Sequence, residues 1–306
     1  MSNTDLVALL PLIVVAVMGT VVMLAGAYGA RRVMLHWLTI LGVGIALASI
    51  VSVRPLAPRD VTPLLRIDSY SILFMTLLFS GTGILAIISH PYLRARRCAG
   101  EAYYSLLLFA TFGMGVLVCS THFASLFLGL ETLTVSLYGL LAYLRTERQS
   151  LEAAIKYLIL AAMASGLLLF GIALLYAATG SLVLANVTAL SAEALKTAGS
   201  PEAIWAAVGV LMLIVGFAFK LALVPFHMWS PDVYQGAPAP VTALIATGSK
   251  GAVVAALLRL LSGVPADDSL LPSVLATLAI LTMFGGNLLA LLQTDMKRML
   301  AYSSIA

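Results

Sequence analysis

Apolar runs of roughly twenty residues, broken by short polar segments, repeat along the whole chain. They fall near 6–29, 33–53, 69–90, 102–119, 122–144, 152–178, 203–224, 239–262 and 271–292, and a further run begins near 295 and is cut off at Ala306. A hydrocarbon core about 30 Å thick takes roughly 20 apolar residues of helix per crossing, so the pattern predicts nine to ten membrane-spanning helices. No linker, low-complexity tract or polar domain separates the runs, which predicts one all-α polytopic membrane domain. The opening segment, Met1 to Asp5, lacks the basic start of a cleavable signal peptide, and the run behind it is too long for an h-region. It reads as a retained first span.

Composition agrees with a lipid solvent. Of 306 residues, 61% are hydrophobic and 10% charged, against about 25% charged in ordinary soluble domains, and the mean hydropathy is +1.06. So little charge cannot cover a water-facing surface. Cys98 and Cys119 are too few for a disulfide framework or a cysteine metal site, and His36, His90, His122 and His227 are scattered without metal-ligand spacing. The net charge of +4 is too small and too dispersed for nucleic acid. Neither a GxGxxG turn nor a P-loop occurs, and nothing suggests a haem or iron–sulfur site.

Basic residues set a direction. Segments after odd-numbered spans, with their flanks, carry Arg31, Arg32, Arg94, Arg96, Arg97, Arg145, Arg148, Lys156, Lys297 and Arg298. Segments after even-numbered spans carry Arg54, Arg59, Arg66, Lys196 and Arg259, and the arginines of 54–66 are partly offset by Asp60 and Asp68. The asymmetry predicts that the first group faces the cytoplasm and the N-terminus faces outward. Asp267 and Asp268 are expected in an outer, solvated loop.

An ionised side chain at mid-bilayer costs about 2.5–3.5 kcal/mol on insertion scales. Charges at span ends, such as Asp5, Glu101, Glu202, Arg259 and Asp295, escape this by snorkelling. Three residues do not. Glu131 lies about nine residues into the fifth span and Lys250 about eleven into the eighth, which at 1.5 Å per residue places both near half depth. Lys220 comes late in the seventh, but Pro225 and Pro231 bracket residues that cannot continue a hydrogen-bond ladder. A seventh helix that breaks there and runs on toward Gln235 puts Lys220 near mid-depth as well. Broken spans are tolerated where they are buried in protein or line a wet cavity, and they mark ion and substrate paths in transporters.

One reading of this trio is an ion-pair cluster that only fixes helix packing. The other is a proton or cation path. Burial disfavours the charge on a lysine and a neighbouring carboxylate favours it, so a Lys–Glu pair that opens and closes can take up and release a proton. In that scheme Glu131 holds Lys220 protonated, and separating them sends the proton toward Lys250. Glu152 and Lys156 form an i,i+4 pair at the start of the sixth span, which suits either an interfacial pair or a proton entry. His227, in the break, suits either a relay or a structural role. Thr132, Ser136, Tyr138, Thr247 and Ser249 can hold waters or stitch helices together, and Gly209, Gly216, Gly248 and Gly251 favour close packing.

Phe219-Lys220-Leu-Ala-Leu-Val-Pro-Phe-His-Met-Trp-Ser-Pro-Asp-Val-Tyr-Gln-Gly-Ala-Pro-Ala-Pro240 closely resembles the signature of the antiporter-like membrane subunits of NADH-quinone oxidoreductase, respiratory complex I. Asp232-Val-Tyr-Gln-Gly-Ala-Pro-Ala-Pro followed by Ala-Thr-Gly-Ser-Lys250 is similar to the subunit N branch, whereas the L and M branches and the Mrp cation/proton antiporters carry a histidine in the eighth helix. Leu-Gly-Leu-Glu131, Glu152-Ala-Ala-Ile-Lys156-Tyr and Gln293-Thr-Asp-Met-Lys-Arg-Met-Leu-Ala-Tyr-Ser-Ser304 match the same family, so the resemblance spans nearly the whole chain.

The resemblance implies a subunit without a redox centre, which moves protons in the membrane arm of a proton-translocating NADH:quinone oxidoreductase of a cell inner membrane. NADH, FMN, iron–sulfur clusters and quinone then sit on partner subunits. The family's glutamate, broken-helix lysine and eighth-helix lysine map to Glu131, Lys220 and Lys250. Its scheme of inverted five-helix repeats assigns 1–101 to three leading helices, 102–262 to one complete repeat with a broken seventh helix, and 263–306 to the start of a second repeat. The second broken helix and its lysine are missing from this sequence, which suggests a fragment, or a companion chain that supplies the rest. The alternatives are a Mrp-type cation/proton antiporter subunit and a non-catalytic assembly subunit.

Overall fold

A computed structural model describes residues 2–96, 100–197, 199–264 and 270–306; Arg97, Cys98, Asp267 and Asp268 lie outside the described residues. Among these, nine helical runs are long and apolar enough to cross a membrane: Leu10–Ala27, Arg32–Leu56, Ser69–Ala95, Ala102–Cys119, Phe123–Leu141, Arg148–Thr179, Pro201–Leu221, Ala239–Leu261 and Leu271–Leu291. Each coincides with one of the apolar runs read from the sequence. The chain divides into two compact units, Met1–Ser150 with Pro238–Ala256, and Leu151–Ala237 with Leu257–Ala306.

The first unit contains α1 (Asn3–Ala8), α2 (Leu10–Ala27), α3 (Arg32–Val53), a hairpin of β1 (Arg59–Thr62) and β2 (Leu65–Ile67), α4 (Ser69–Ala95), α5 (Glu101–Cys119) and α6 (Phe123–Leu141). In lipid no hydrophobic force pulls apolar helices together, so close approach of backbones at small residues does that work. It is tightest between α5 and α6. A Cβ at Gly113 would stand 2.6 Å from the Leu133 nitrogen and 2.8 Å from the Gly129 oxygen, and one at Gly129 would stand 2.9 Å from the Leu117 nitrogen.

Long apolar runs do not predict the hairpin between α3 and α4. It pairs antiparallel, Arg59 opposite Ile67, and docks on the α5–α6 turn, where the Leu64 carbonyl accepts from the Thr121 N–H at 3.0 Å and the Ser125 hydroxyl at 2.7 Å. Its arginines, which disturbed the charge asymmetry in the sequence, are locally neutralised. Arg59 pairs with Asp5 at 2.7 Å, and Arg66 lies 3.6 Å from Asp60 and 3.9 Å from Asp68. The Ser2 backbone N–H and then the Arg59 guanidinium hold the Asp5 carboxyl down at about 2, from an ordinary 3.8. A carboxyl whose folded value is depressed contributes stability above its unfolded value and loses it as pH falls through the folded one. Asp5→Asn therefore lowers the melting temperature slightly near neutral pH, and the gap to wild type closes on acidification from about pH 4 to about pH 2. A gap constant over that range would remove the Asp5–Arg59 pair from the stability account.

The second unit contains α7 (Arg148–Thr179) from Leu151 onward, α8 (Leu184–Lys196), α9 (Pro201–Leu221), α10 (Trp229–Gly236), α13 (Leu270–Leu291) and α14 (Met296–Ile305). Between them in sequence, α11 (Ala239–Ala243), a π-helical stretch (Leu244–Ser249) and α12 (Lys250–Leu261) form the eighth span, most of which belongs to the first unit. In the second unit α7 and α9 again meet backbone to backbone: a Cβ at Gly171 would stand 2.9 Å from the Gly209 oxygen.

The seventh span is broken, though not quite where the prolines suggested. α9 stops at Leu221, four residues before Pro225, whose ring would strike that carbonyl in a continuing helix. The chain turns at Ala222 in the left-handed conformation, φ 58°, and the Leu223 N–H closes the end on the Ala218 carbonyl at 2.8 Å. Helix resumes at Trp229, two residues before Pro231, because proline fits a first helical turn, where its missing N–H has no partner to lose. A left-handed alanine is strained where glycine is not. Ala222→Gly is expected to stabilise the protein by about 0.5–1 kcal/mol, read as a higher melting temperature; a lower one would show that the turn depends on the methyl group.

Candidate proton path

The first unit holds Glu131 and Lys250; the second holds Lys220, His227, Glu152 and Lys156. Glu131 is half-buried in the middle of the 19-residue α6. The hydroxyls beside it bond their own helix one turn back, Thr132 to the Leu128 carbonyl at 2.8 Å and Ser136 to Thr132 at 2.7 Å. Thr247 does the same with Ala243 at 2.7 Å. Their hydrogens are thus spent on the backbone, and only the oxygen lone pairs are left to meet water.

Lys250 opens α12 directly after the π-helical stretch, and its N–H donates to the Ile245 carbonyl five residues back. Such widened turns are rare and occur frequently at functional sites. A cavity of about 260 Å³ flanks this one, lined by Leu77, Leu78, Gly81 and Thr82 of α4 and by Leu244 and Thr247. No proline or charge marks the stretch Leu-Ile-Ala-Thr-Gly-Ser in the sequence, so the widened turn was not legible there.

In the second unit Lys220 sits in the last turn of α9 and is 7% exposed. A helix C-terminus favours a cation, which lowers the cost of keeping an ammonium there. The break is only partly satisfied: both His227 ring nitrogens and the Ser230 hydroxyl are buried without a hydrogen-bond partner among the described residues, while two bonds hold its ends. The Val224 N–H donates to the Thr282 hydroxyl at 3.0 Å, and the Trp229 indole N–H to the Phe219 carbonyl at 3.0 Å, with the two rings stacked at 5.4 Å. His227, 6% exposed, lies within the break with its ring 6.3 Å from that of Tyr302.

At the far end of α10 a polar collar assembles that sequence reasoning missed. Lys156 reaches Glu152 at 2.9 Å, as the i,i+4 spacing predicts, but also Asp232 at 2.7 Å. Arg298 of α14 donates to the other Asp232 oxygen at 2.7 Å, to Gln235 at 3.1 Å and to Gln293 at 3.2 Å. Lys297 donates to the carbonyls of Gln235 and Ala237 at 3.1 and 3.0 Å, which caps the C-terminal end of α10. Asp232 is therefore the hub that ties α7, α10 and α14. The signal available in the sequence was a carboxylate in an otherwise apolar stretch, one residue after Pro231.

The first unit thus offers Glu131 and Lys250 within spans, and the second a buried lysine beside an interrupted helix, with a charged collar at the far end of α10. Among the described residues no three His, Cys, Asp or Glu side chains lie close enough together to hold a metal ion. A family model described as NADH:quinone oxidoreductase/Mrp antiporter, TM, matches residues 120–306. NADH-quinone oxidoreductase subunit N of Chromohalobacter salexigens is 48% identical over 303 residues, which is 99% of this chain and 62% of the relative. A chain of respiratory complex I from Thermus thermophilus matches with a TM-score of 0.80 at 37% identity, over 97% of this chain and 62% of that one. A chain of the Mrp complex from Dietzia sp. matches with a TM-score of 0.83 at 22% identity, over 100% and 57%, a likeness of fold alone. This chain thus spans about 62% of the length of the relative from Chromohalobacter. With a matching family model over residues 120–306, the chain belongs to the NADH:quinone oxidoreductase/Mrp antiporter transmembrane family.

Proposed function

We propose that the chain acts in a membrane-arm subunit of a proton-translocating NADH:quinone oxidoreductase and carries part of its proton path. The observation behind this reading is Lys220, 7% exposed at the end of a helix that breaks inside a span. Glu131, Lys220 and Lys250 hold and pass the proton. Glu152, Lys156 and Asp232 form its charged entry, and His227 relays it within the break. The complex I chain from Thermus thermophilus, at 37% identity, supports this choice within the family. Lys250 stands where Mrp-type chains carry histidine, which speaks against a cation/proton antiporter.

Redox chemistry in this reading belongs to partner subunits, which bind NADH, FMN, iron–sulfur clusters and quinone and drive the charge movement. Residues 102–262 form one antiporter-like repeat behind the leading helices of 1–101, and 263–306 open the second. In this reading the protein lies in a cell inner membrane, and the excess of basic residues after odd-numbered spans supports an N-terminus outside. The test is gentle detergent extraction of the tagged protein from its native membrane, then native electrophoresis with an in-gel stain for NADH oxidation. Comigration with a large NADH-oxidising band is expected. A smaller band without that activity would overturn the assignment, and sodium-dependent transport without NADH would transfer it to the antiporters.

A further inference from the structure

The arginines of the first unit are of two kinds. Those of the β-hairpin have carboxylates beside them, Asp5 at Arg59 and Asp60 and Asp68 at Arg66. At the other ends of α3 and α4, Arg31 stands just before α3 and Arg94 in the last turn of α4. Both are exposed, and neither has a carboxylate partner among the described residues, whereas Arg96 is engaged with Glu147. An exposed guanidinium in water needs no partner, but these two are placed together.

α3 and α4 run antiparallel in contact. The rings of His36 and His90 are 4.5 Å apart, and a Cβ at Gly83 would stand 3.5 Å from Val43 Cγ1. Arg31 precedes His36 by five residues and Arg94 follows His90 by four, so both stand about one turn beyond the ring contact, at one level. In each helix an exposed position follows the contacting one, about 100° further round: Trp37 after His36, Gly44 after Val43, Ile84 after Gly83. Because the helices are antiparallel, these rotations carry both exposed faces to the same side of the pair. That side is apolar, with Leu41 from α3 and Ile84 and Ile87 from α4, and Arg94 follows Ile87 by two turns on the same face. Trp37, 61% exposed, lies on it less than two turns inside Arg31.

We propose that Arg31, Arg94 and Trp37 form a binding site for an anionic phospholipid, its headgroup held by the two arginines and its acyl chains laid along the outer face of α3 and α4. Guanidinium groups match phosphate oxygens, an exposed tryptophan prefers the level between headgroups and acyl chains, and the isoleucines need an apolar neighbour. The three requirements, stacked in that order along one face, are those of a single amphipathic molecule. An acidic protein segment would meet the first and leave the other two. The site is independent of the proton path.

The test is tryptophan fluorescence of the full chain in nanodiscs of equal phosphatidylglycerol and phosphatidylcholine, with bromine, a quencher, on the acyl chains of one lipid or the other. Surface charge is then the same in both samples. The signal of the site is the quenching that Trp37→Phe removes, since Trp205 and Trp229 remain in that variant. Wild type is expected to favour phosphatidylglycerol beside Trp37 by ~10-fold or more, and Arg31→Gln with Arg94→Gln to bring that preference to within about 2-fold of none. Arg145→Gln with Arg148→Gln removes the same charge from exposed positions after α6 and is expected to keep the preference. An equal loss in that control overturns the proposal, because a diffuse surface potential then accounts for it. Equal quenching by the two lipids in wild type also overturns it and leaves the arginines to an acidic protein partner. So does a preference that survives the loss of Arg31 and Arg94.

Discussion

On the proposed assignment, Lys220→Ala is expected to abolish NADH-driven proton uptake, to below about a tenth of wild type, in membranes where the complex still assembles. The loss is expected because alanine has no group that can hold the proton. Lys220→Arg is the sharper variant. Guanidinium keeps the charge, and with it any packing role of the cation, but does not release its proton in a protein. Proton uptake in reconstituted vesicles, measured beside native-gel assembly, separates the two roles. Wild-type uptake in Lys220→Arg would mean that Lys220 serves as a fixed charge, and the relay through Glu131 and Lys250 would lose its middle member.

The largest structural effect is expected far from any charge, at Gly113. Its Cα faces the backbone of α6, and an added Cβ would stand 2.6 Å from the Leu133 nitrogen. No side chain can yield there, because the obstacle is main chain. Gly113→Val therefore forces α5 and α6 apart, at about 3 kcal/mol or more, and takes α6, with Glu131 on it, out of place. Gly44→Ala and Gly81→Ala are matched controls, since a Cβ at either meets nothing within 4 Å. The measurement is unfolding of the solubilised protein in a denaturing detergent series. Equal midpoints for Gly113→Val and the controls would show that α5 and α6 do not depend on this contact.

The spans were legible because lipid imposes a one-dimensional rule: about twenty apolar residues per crossing. Glu131, Lys220 and Lys250 were legible for the same reason, as charges inside such runs. What escaped was whatever depends on contacts distant in sequence. Nothing local tells that Asp232 meets Arg298, 66 residues away, or that Arg59 closes on Asp5, 54 residues back. The break was foreseen from Pro225 and Pro231, yet its edges came from steric detail, a ring excluded by the Leu221 carbonyl at one side and tolerated in a first turn at the other. Arg298 and Lys297 entered the sequence reading only as markers of orientation, and in the fold they close the collar around α10.

The six residues from Leu244 to Ser249, whose hydrogen bonds reach back five residues where those of an α-helix reach back four, also govern phase. Consecutive residues of an α-helix are about 100° apart around the axis. An extra residue taken up in one turn therefore sets the azimuth of everything downstream, and the first residue downstream is Lys250. Substitutions that let the six rewind as uninterrupted α-helix at unchanged length would swing Lys250 by about 100° relative to α11 while it remains the same lysine. Deleting one residue along with the wide turn would instead leave its azimuth almost unchanged, because the residue lost is the one that turn absorbs. Substitutions in that stretch can thus act as angular mutations, re-aiming a charge that a comparison at position 250 alone would score as unchanged.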